Sequence, residues 1–438
     1  MANLYNPTTK GTDYKNDKGE TASSFGYTLE KTILTLHNGE EIEISNLVNF
    51  IKIHESLDTP FSKVDLQIID ATKFLQFADL RGDEEINIVL KRDGVFEGKF
   101  NLKLKIAEIG GYVKKDQAKQ FFRLSCIQKH MYENQKLTIS KSFEGTVGAL
   151  IKDLCKVMQL KPKELLNISD SSKEIIKGIY PSIKPIAAIN WLLRNAFDDG
   201  TPYFFYNTLS SGLKLKSYKE LLDVRYIDES DFKKEYNATF GQILEPVGEP
   251  SYFLEEAKRV ATMAGGMNMS QYVAIGAGAY TGNVVSLDIS TKELKTDRFD
   301  YNQLNNKLEK EKPFVNPENN ESDKAKTIYI NTNKEAFNGK NNYHSPTKDK
   351  TVGNYHAYLQ NLKMNTFSII VPGDFNIEPG HIIKLKVLAS SENPNDLVDK
   401  YLTGKYLIKS IEHSFKDTYE MRLTICRDSF HRSNNDTT

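Results

Sequence analysis

The sequence predicts a β-rich α+β protein. An antiparallel β domain lies at each end of the chain, an α+β domain is inserted between them, and a long polar insertion precedes the second β domain. Three observations carry this. Phe100, Leu102, Leu104 and Ile106 alternate with Asn101, Lys103 and Lys105, the period of a strand with one buried face. Between the β regions, apolar residues shift to helical spacing. Tyr and Phe number 22 and 23 against a single Trp, a composition that favours strands and also suits interfaces.

The chain has 438 residues, enough for about two to four domains. Residues 1–26 (rich in Asn, Thr, Lys and Gly) read as a flexible arm, because they bury too little apolar surface to offset ordering entropy. Residues 27–129 read as the first β domain. Ile33, Leu34 and Leu36 open it, Asn38-Gly39 is a hairpin turn, and strands follow at 47–53, 63–70, 86–90, 100–106 and 122–126. Six or seven strands at this spacing fit a barrel or a sandwich.

Residues 130–225 form the α+β unit. Phe143, Val147, Leu150, Ile151, Leu154 and Met158 predict a helix with Ser142 as its N-cap. A second helix starts at Pro185, and Tyr203–Tyr206 turns at Ser211-Gly212 into a further strand. Residues 226–304 are mixed. Tyr252, Phe253, Ala257, Val260, Ala261 and Ala264 predict a helix stopped by Gly265-Gly266, with strands at 272–275 and 284–288. Residues 305–354 are the polar insertion, with a hairpin around 327–330. Residues 355–430 make the last β domain: a short helix over 355–362, then strands near 367–371, 382–388, 404–412 and 418–427. Residues 431–438 are a polar tail. Pro372-Gly373-Asp374 and Glu378-Pro379-Gly380 are chain reversals, with Gly373 and Gly380 expected at positive φ.

Lys+Arg and Asp+Glu each total 58, which argues against nucleic acid or an anionic membrane as the main partner. Cys126, Cys155 and Cys426 are few, distant and odd in number, a pattern of folding in a reducing cytoplasm. The first residues lack the apolar centre of a signal peptide, and no apolar run is long enough for a membrane helix. Gly276 to Gly282 has the wrong spacing for GxGxxG and leads into a strand. The eight histidines form no HxH, HxxxH or HExxH pair, and there is no GxSxG or GxxxxGK[ST]. No catalytic, cofactor-binding or metal residue is assigned, and the expectation is a non-enzyme without a cofactor.

Residues 366–387, TFSIIVPGDFNIEPGHIIKLKV, resemble the hub proteins of contractile phage tails, in which a strand, a "PG" turn and a "PGxxI" turn form part of a tube-building β-barrel. ESLDTPFSKVDLQIID (55–70) and LRGDEEINIVL (80–90) resemble the first tube domain of these hubs, with Asp70, Gly82 and Glu84 at matching positions. Residues 182–216, with INWLL and GTPYFFY, resemble the hub's second domain. The chain is thus similar to the baseplate hub protein of T-even-like phages over most of residues 27–425. The N-terminal arm and the insertion lack a counterpart there.

The resemblance implies structural turns at Gly82, Gly373, Pro379 and Gly380. It also implies two tube-type β-barrels per chain and a homotrimer that looks sixfold to its neighbours. The implied partners are a central spike protein, tail tube or tube-initiator proteins and baseplate wedge proteins. Genomic DNA would pass through the lumen without sequence-specific binding, and the virion tail baseplate would be assembled in the host cytoplasm. Competing readings are the hub portion of a type VI secretion or tailocin spike, a tail-associated cell-wall hydrolase, and a β-rich receptor-binding protein. The stop at Thr438, soon after the last strand, favours a separate spike over a fused one.

Overall fold

The computed structural model describes residues 14–15, 21–22, 26–82, 84–92, 98–114, 119–168, 175–198, 201–222, 235–238, 259–267, 276, 281–289, 291–300, 327–332, 349–388, 399 and 402–428. Most of the expected arm and insertion, the expected strand at 272–275, helix residues 252–257 and the tail lie outside them. Within the arm, β1 (Tyr14–Lys15) and β2 (Thr21–Ala22) pair as a short hairpin.

The first β region contains β3 (Thr28–Thr35), β4 (Glu41–Glu43), β5 (Val48–Ser56), β6 (Lys63–Asp70), β7 (Glu85–Arg92), β8 (Gly98–Lys114) and β9 (Gln120–Gln128), with the one-turn helix α1 (Phe74–Phe77) after β6. Alternation becomes burial as the sequence predicts. On β8, Phe100, Leu102, Leu104 and Ile106 are buried. The inserted unit follows: α2 (Lys129–Lys136), β10 (Ile139–Gly145), α3 (Val147–Val157), β11 (Ile176–Ile183), α4 (Pro185–Asn195), β12 (Phe197–Asp198), β13 (Thr201–Thr208), β14 (Gly212–Ser217) and α5 (Tyr218–Leu222). It has an apolar core of its own, in which Phe143, Ile151, Leu154, Ile189, Leu192 and Leu215 pack. Pro185 sits in the first turn of α4, where its missing N–H costs nothing.

The last region holds β15 (Glu235–Ala238), β16 (Thr262–Met267), β17 (Thr281–Asp288), β18 (Leu294–Asp300), β19 (Thr327–Thr332), α6 (Asp349–Met364), β20 (Asn365–Pro372), β21 (Ile382–Val387), β22 (Gly404–Phe415) and β23 (Tyr419–Arg427). The four strands expected after residue 364 are all present, within three residues at each end.

Four expectations are corrected. Ser142 and Phe143 belong to β10, paired with Ile179 and Gly178, and Thr146 caps α3 instead. Phe143 still points into the core of the inserted unit, so its apolar character is equally served by a strand. Residues 262–267 are strand, not the end of a helix. Gly265 has φ +132°, and an added Cβ would lie 2.7 Å from the Thr366 carbonyl, so close backbone pairing overrides the local periodicity. Residues 327–330 do not fold back locally; β19 pairs parallel to β17. The helix expected over 355–362 begins earlier, at Asp349.

Thirteen strands join one sheet. Its pairing order repeats. In the first half the strands run β5-β6-β9-β8-β7-β3; in the second, β16-β20-β23-β22-β21-β15. In chain order these are β3, β5, β6, β7, β8, β9 and β15, β16, β20, β21, β22, β23, so every strand has a counterpart in the same place. The two modules differ at one edge: β3 runs antiparallel to β7, whereas β15 runs parallel to β21. The corresponding strands β8 and β22 each carry a one-residue bulge, between Ile106 and Glu108 and between Ile408 and Ser410.

The two modules share one sheet. Past its pairing with β21, β22 continues and pairs with β5, from Ser410 opposite Ser56 to Phe415 opposite Ile51. One apolar cluster accordingly contains Ile53, Leu66 and Leu124 of the first module with Ile369, Ile411 and Leu423 of the second. Phe415 sits at this seam, fully buried, stacked on Tyr419 at 4.2 Å and edge-on to Tyr27 at 5.1 Å.

Phe415→Ala should cost about 3–5 kcal/mol. Because the core is shared, amide exchange should accelerate in β6 and β20 together; acceleration confined to one module contradicts a common core.

Candidate functional site

Two joints of this fold are built from buried polar groups. The first lies on the seam. Glu55 of β5 and His413 of β22 are 2 % and 0 % exposed, and His413 Nε2 is 2.7 Å from Glu55 Oε2. A carboxylate only accepts, so Nε2 carries the hydrogen, and Nδ1 accepts from the Tyr419 hydroxyl at 2.9 Å. The second carboxylate oxygen of Glu55 accepts from the Leu209 backbone N–H at 2.6 Å. Leu209 lies at the β13–β14 turn, so one carboxylate ties both modules and the inserted unit together. Burial pushes the Tyr419 phenol well above its usual range, which keeps it a donor, and the Arg92 guanidinium lies 5.6 Å from its ring centre.

The second joint is the turn between β20 and β21. The Asp374 carboxylate accepts from the Asn376 N–H at 2.8 Å. Gly380 N–H donates to the Ile408 carbonyl, and Ile408 N–H to the His381 carbonyl, both at 2.9 Å. Within this frame Glu378, 3 % exposed, points at the β13–β14 hairpin. Its Oε1 accepts from Thr208 Oγ1 at 3.1 Å, from Ser211 Oγ at 2.5 Å and from Ser210 Oγ, while Oε2 pairs with Lys214 Nζ. Burial raises the Glu378 pKa, but the hydrogen bonds from Lys214, Ser210 and Ser211 outweigh it and hold the carboxyl down at about 2.

The glycines behave differently from one another. Gly380 has φ +88°, and an added Cβ would lie 2.7 Å from Tyr206 Oη, so it needs both its conformation and its emptiness. Pro379 is buried beside it. Gly82 has φ +93° with nothing within 4 Å, so only its conformation matters. Its N–H, with that of Arg81, donates to the Glu84 carboxylate at 2.9 and 2.5 Å. Gly373 departs from expectation: its φ is not positive. It is needed for space, since a Cβ would lie 2.1 Å from Tyr419 Cδ1. Asp70 closes the corresponding turn of the first module, accepting from Thr72 N–H at 2.8 Å and from Gln120 Nε2 at 2.5 Å.

With this architecture in view, the chain matches solved structures. The 43 kDa tail protein of prophage MuSo2 from Shewanella oneidensis aligns with TM-score 0.50 at 12 % identity, over 91 % of this chain and 99 % of that one. The fold is that of a phage tail protein. A tail protein from Neisseria meningitidis MC58 aligns with TM-score 0.49 at 10 % identity, over 93 % and 98 % of the two chains. The c3393 protein of E. coli, a component of the type VI secretion system, aligns with TM-score 0.39 at 9 % identity, over 92 % and 77 %. No family model matches the chain, and no curated protein matches it in sequence.

Of the residues singled out in the sequence, the structure brings Gly380 and Pro379 to the second joint and Gly373 to the ring of Tyr419. It leaves Gly82 in a turn closed on itself. Lys103, Lys384 and Lys386 are exposed, whereas Lys105 is 3.4 Å from Glu85. Glu55, His413, Glu378 and the hairpin hydroxyls were not foreseen. Only Glu378 left a trace, as an acid next to a Pro-Gly turn.

Two measurements check these joints. A carboxyl held below its free pKa of 4.5 contributes stability that is complete above pH 4.5 and fades as pH falls toward 2. Glu378→Gln should therefore lose stability at pH 7 and show a flatter decline of the urea midpoint between pH 4.5 and 2 than the wild type; an unchanged slope contradicts the latch. Gly82→Ala should cost about 1 kcal/mol and Gly380→Ala about 3 kcal/mol, read from thermal unfolding. Equal losses contradict the contact with Tyr206.

Proposed function

We propose that this chain is the baseplate hub of a contractile phage tail. Three copies form a ring that adapts a threefold central spike to the sixfold tail tube, and the ring is part of the channel through which the genome leaves. The observation that carries this reading is the duplicated strand order within one polypeptide. A threefold ring of such chains presents six similar modules to whatever stacks on it, the symmetry match that a spike-to-tube adaptor requires. The likeness to a tail protein supports the setting, and the resemblance of 55–90, 182–216 and 366–425 to hub sequences supports the position in the tail.

The proposed partners are the spike protein on one side, tube or tube-initiator proteins on the other, wedge proteins around, and DNA in transit. The chemistry is mechanical: buried carboxylates are spent on joints, and the role is structural, not catalytic. Among the described residues no group of three or more His, Cys, Asp or Glu side chains stands ready for a metal. The inserted unit, latched by Glu378 and Glu55, is the rigid flank on which baseplate neighbours rest.

Light scattering on the purified full chain should give three times its 49.8 kDa mass, and negative-stain images should show rings with an open centre. A monomer at every concentration contradicts the proposal.

A further inference from the structure

Among the described residues the two modules of one chain pair strands at a single seam, and that seam has an unfilled counterpart. On β22, pairing with β21 ends at Leu407, a bulge follows, and the edge beyond it takes β5. On β8, pairing with β7 ends at Lys105 and a bulge follows; beyond it residues 108–114 pair with β9 on one side and, on the side β7 has left, with no strand among the described residues. The backbone junctions match as well: Ile408 N–H donates to the His381 carbonyl, and Ile106 N–H to the Glu84 carbonyl.

The burial does not match. Ile411, His413 and Phe415 on β22 are 0 % exposed, whereas Ile109, Tyr112 and Val113 on β8 are 39 %, 57 % and 49 % exposed. An apolar strand edge left in this state is a template for another strand. The strand that corresponds to β5 is β16. Among the described residues it pairs with β20 on one side only.

The register follows from the repeat. Ile109 lies opposite Leu124 as Ile411 lies opposite Leu423. Val113 lies opposite Phe121 as Ser414 lies opposite Glu420, three residues back in each case. β8 accommodates an extra irregularity between Gly110 and Val113 before this pairing resumes. On the other surface, Leu66 joins Leu124 to Ile51, and Ile369 joins Leu423 to Met263. Met263 therefore stands where Ile51 stands, and Ala264 where Lys52 stands. In the internal seam Ser414 is opposite Lys52.

We infer that the edge of β8 over residues 108–114 takes β16 of a second copy of this chain, antiparallel, with Val113 opposite Ala264 of that copy. The contact is head to tail, the kind that closes a ring: β22 of one module receives β5 of the next, whose β8 receives β16 of the one after. All modules then join through the same kind of seam. The inference rests on the ring proposed above and gives it an address.

The test uses the full chain carrying both Val113→Cys and Ala264→Cys. The three native cysteines are buried and give a low background. Mild oxidation of assembled protein should give covalent two- and three-chain species on a non-reducing gel. Val113→Cys combined with Thr262→Cys, two residues out of register, should give few. A second variant, Ile109→Asp with Tyr112→Asp, changes only exposed positions, so it should keep the wild-type circular dichroism spectrum and cooperative unfolding and lose the assembled mass. Rings of wild-type mass without cross-links, or assembly undiminished in the double Asp variant, overturn the seam while leaving the ring standing. A wild-type chain that is monomeric at every concentration overturns both.

Discussion

Everything in this fold depends on β22 running past the end of β21 and hydrogen-bonding to β5. Without that pairing the duplicated strand orders would be two small open sheets, each with a raw edge and a thin core. With it, one sheet and one apolar cluster span both halves of the chain. The pairing is held by its interior as much as by its ladder. Ile411, His413 and Phe415 are completely buried, and the His413–Glu55 contact supplies a charge-assisted hydrogen bond where an apolar pair would leave the Leu209 N–H unmet. A buried polar pair of this kind fixes which residues lie opposite each other, and here it also fixes where the inserted unit sits.

The two modules use the same turn for different ends. In the first, the Glu84 carboxylate accepts from the backbone N–H groups of Arg81 and Gly82, and the turn closes on itself. In the second, the acid of the equivalent turn faces outward and gathers three hydroxyls and a lysine from the β13–β14 hairpin. A duplicated structural device has become an attachment point in one copy, and Gly380 is pressed against Tyr206 as a consequence. This asymmetry gives the two modules different tasks: only the second carries the latch to the inserted unit.

Much of this was legible in the sequence, and the rest was hidden for identifiable reasons. The strand at Phe100–Ile106 could be read because one face is buried and the other wet, so alternation is imposed residue by residue. The strand through Ala264, Gly265 and Gly266 could not, because its fit depends on absent side chains and a close carbonyl, which local periodicity does not record. Phe143 was read as buried but in the wrong element, since a strand and a helix start serve one apolar side chain equally. The joints were invisible for a different reason. Glu55 and His413 are 358 residues apart, and Lys214 and Glu378 are 164 apart, so only the folded topology brings them together. The duplication itself resides in strand order and register, while the residues filling each place have diverged.

In the proposed ring one polypeptide supplies two equivalent positions around a single axis. An experimentally determined map of the assembled ring gives the rotation relating β5-β6-β9-β8-β7-β3 to β16-β20-β23-β22-β21-β15. The expected rotation is one sixth of a turn about the ring axis, and it carries each module onto its neighbour in the adjoining chain. Modules stacked along the axis, or related by any other angle, would contradict it.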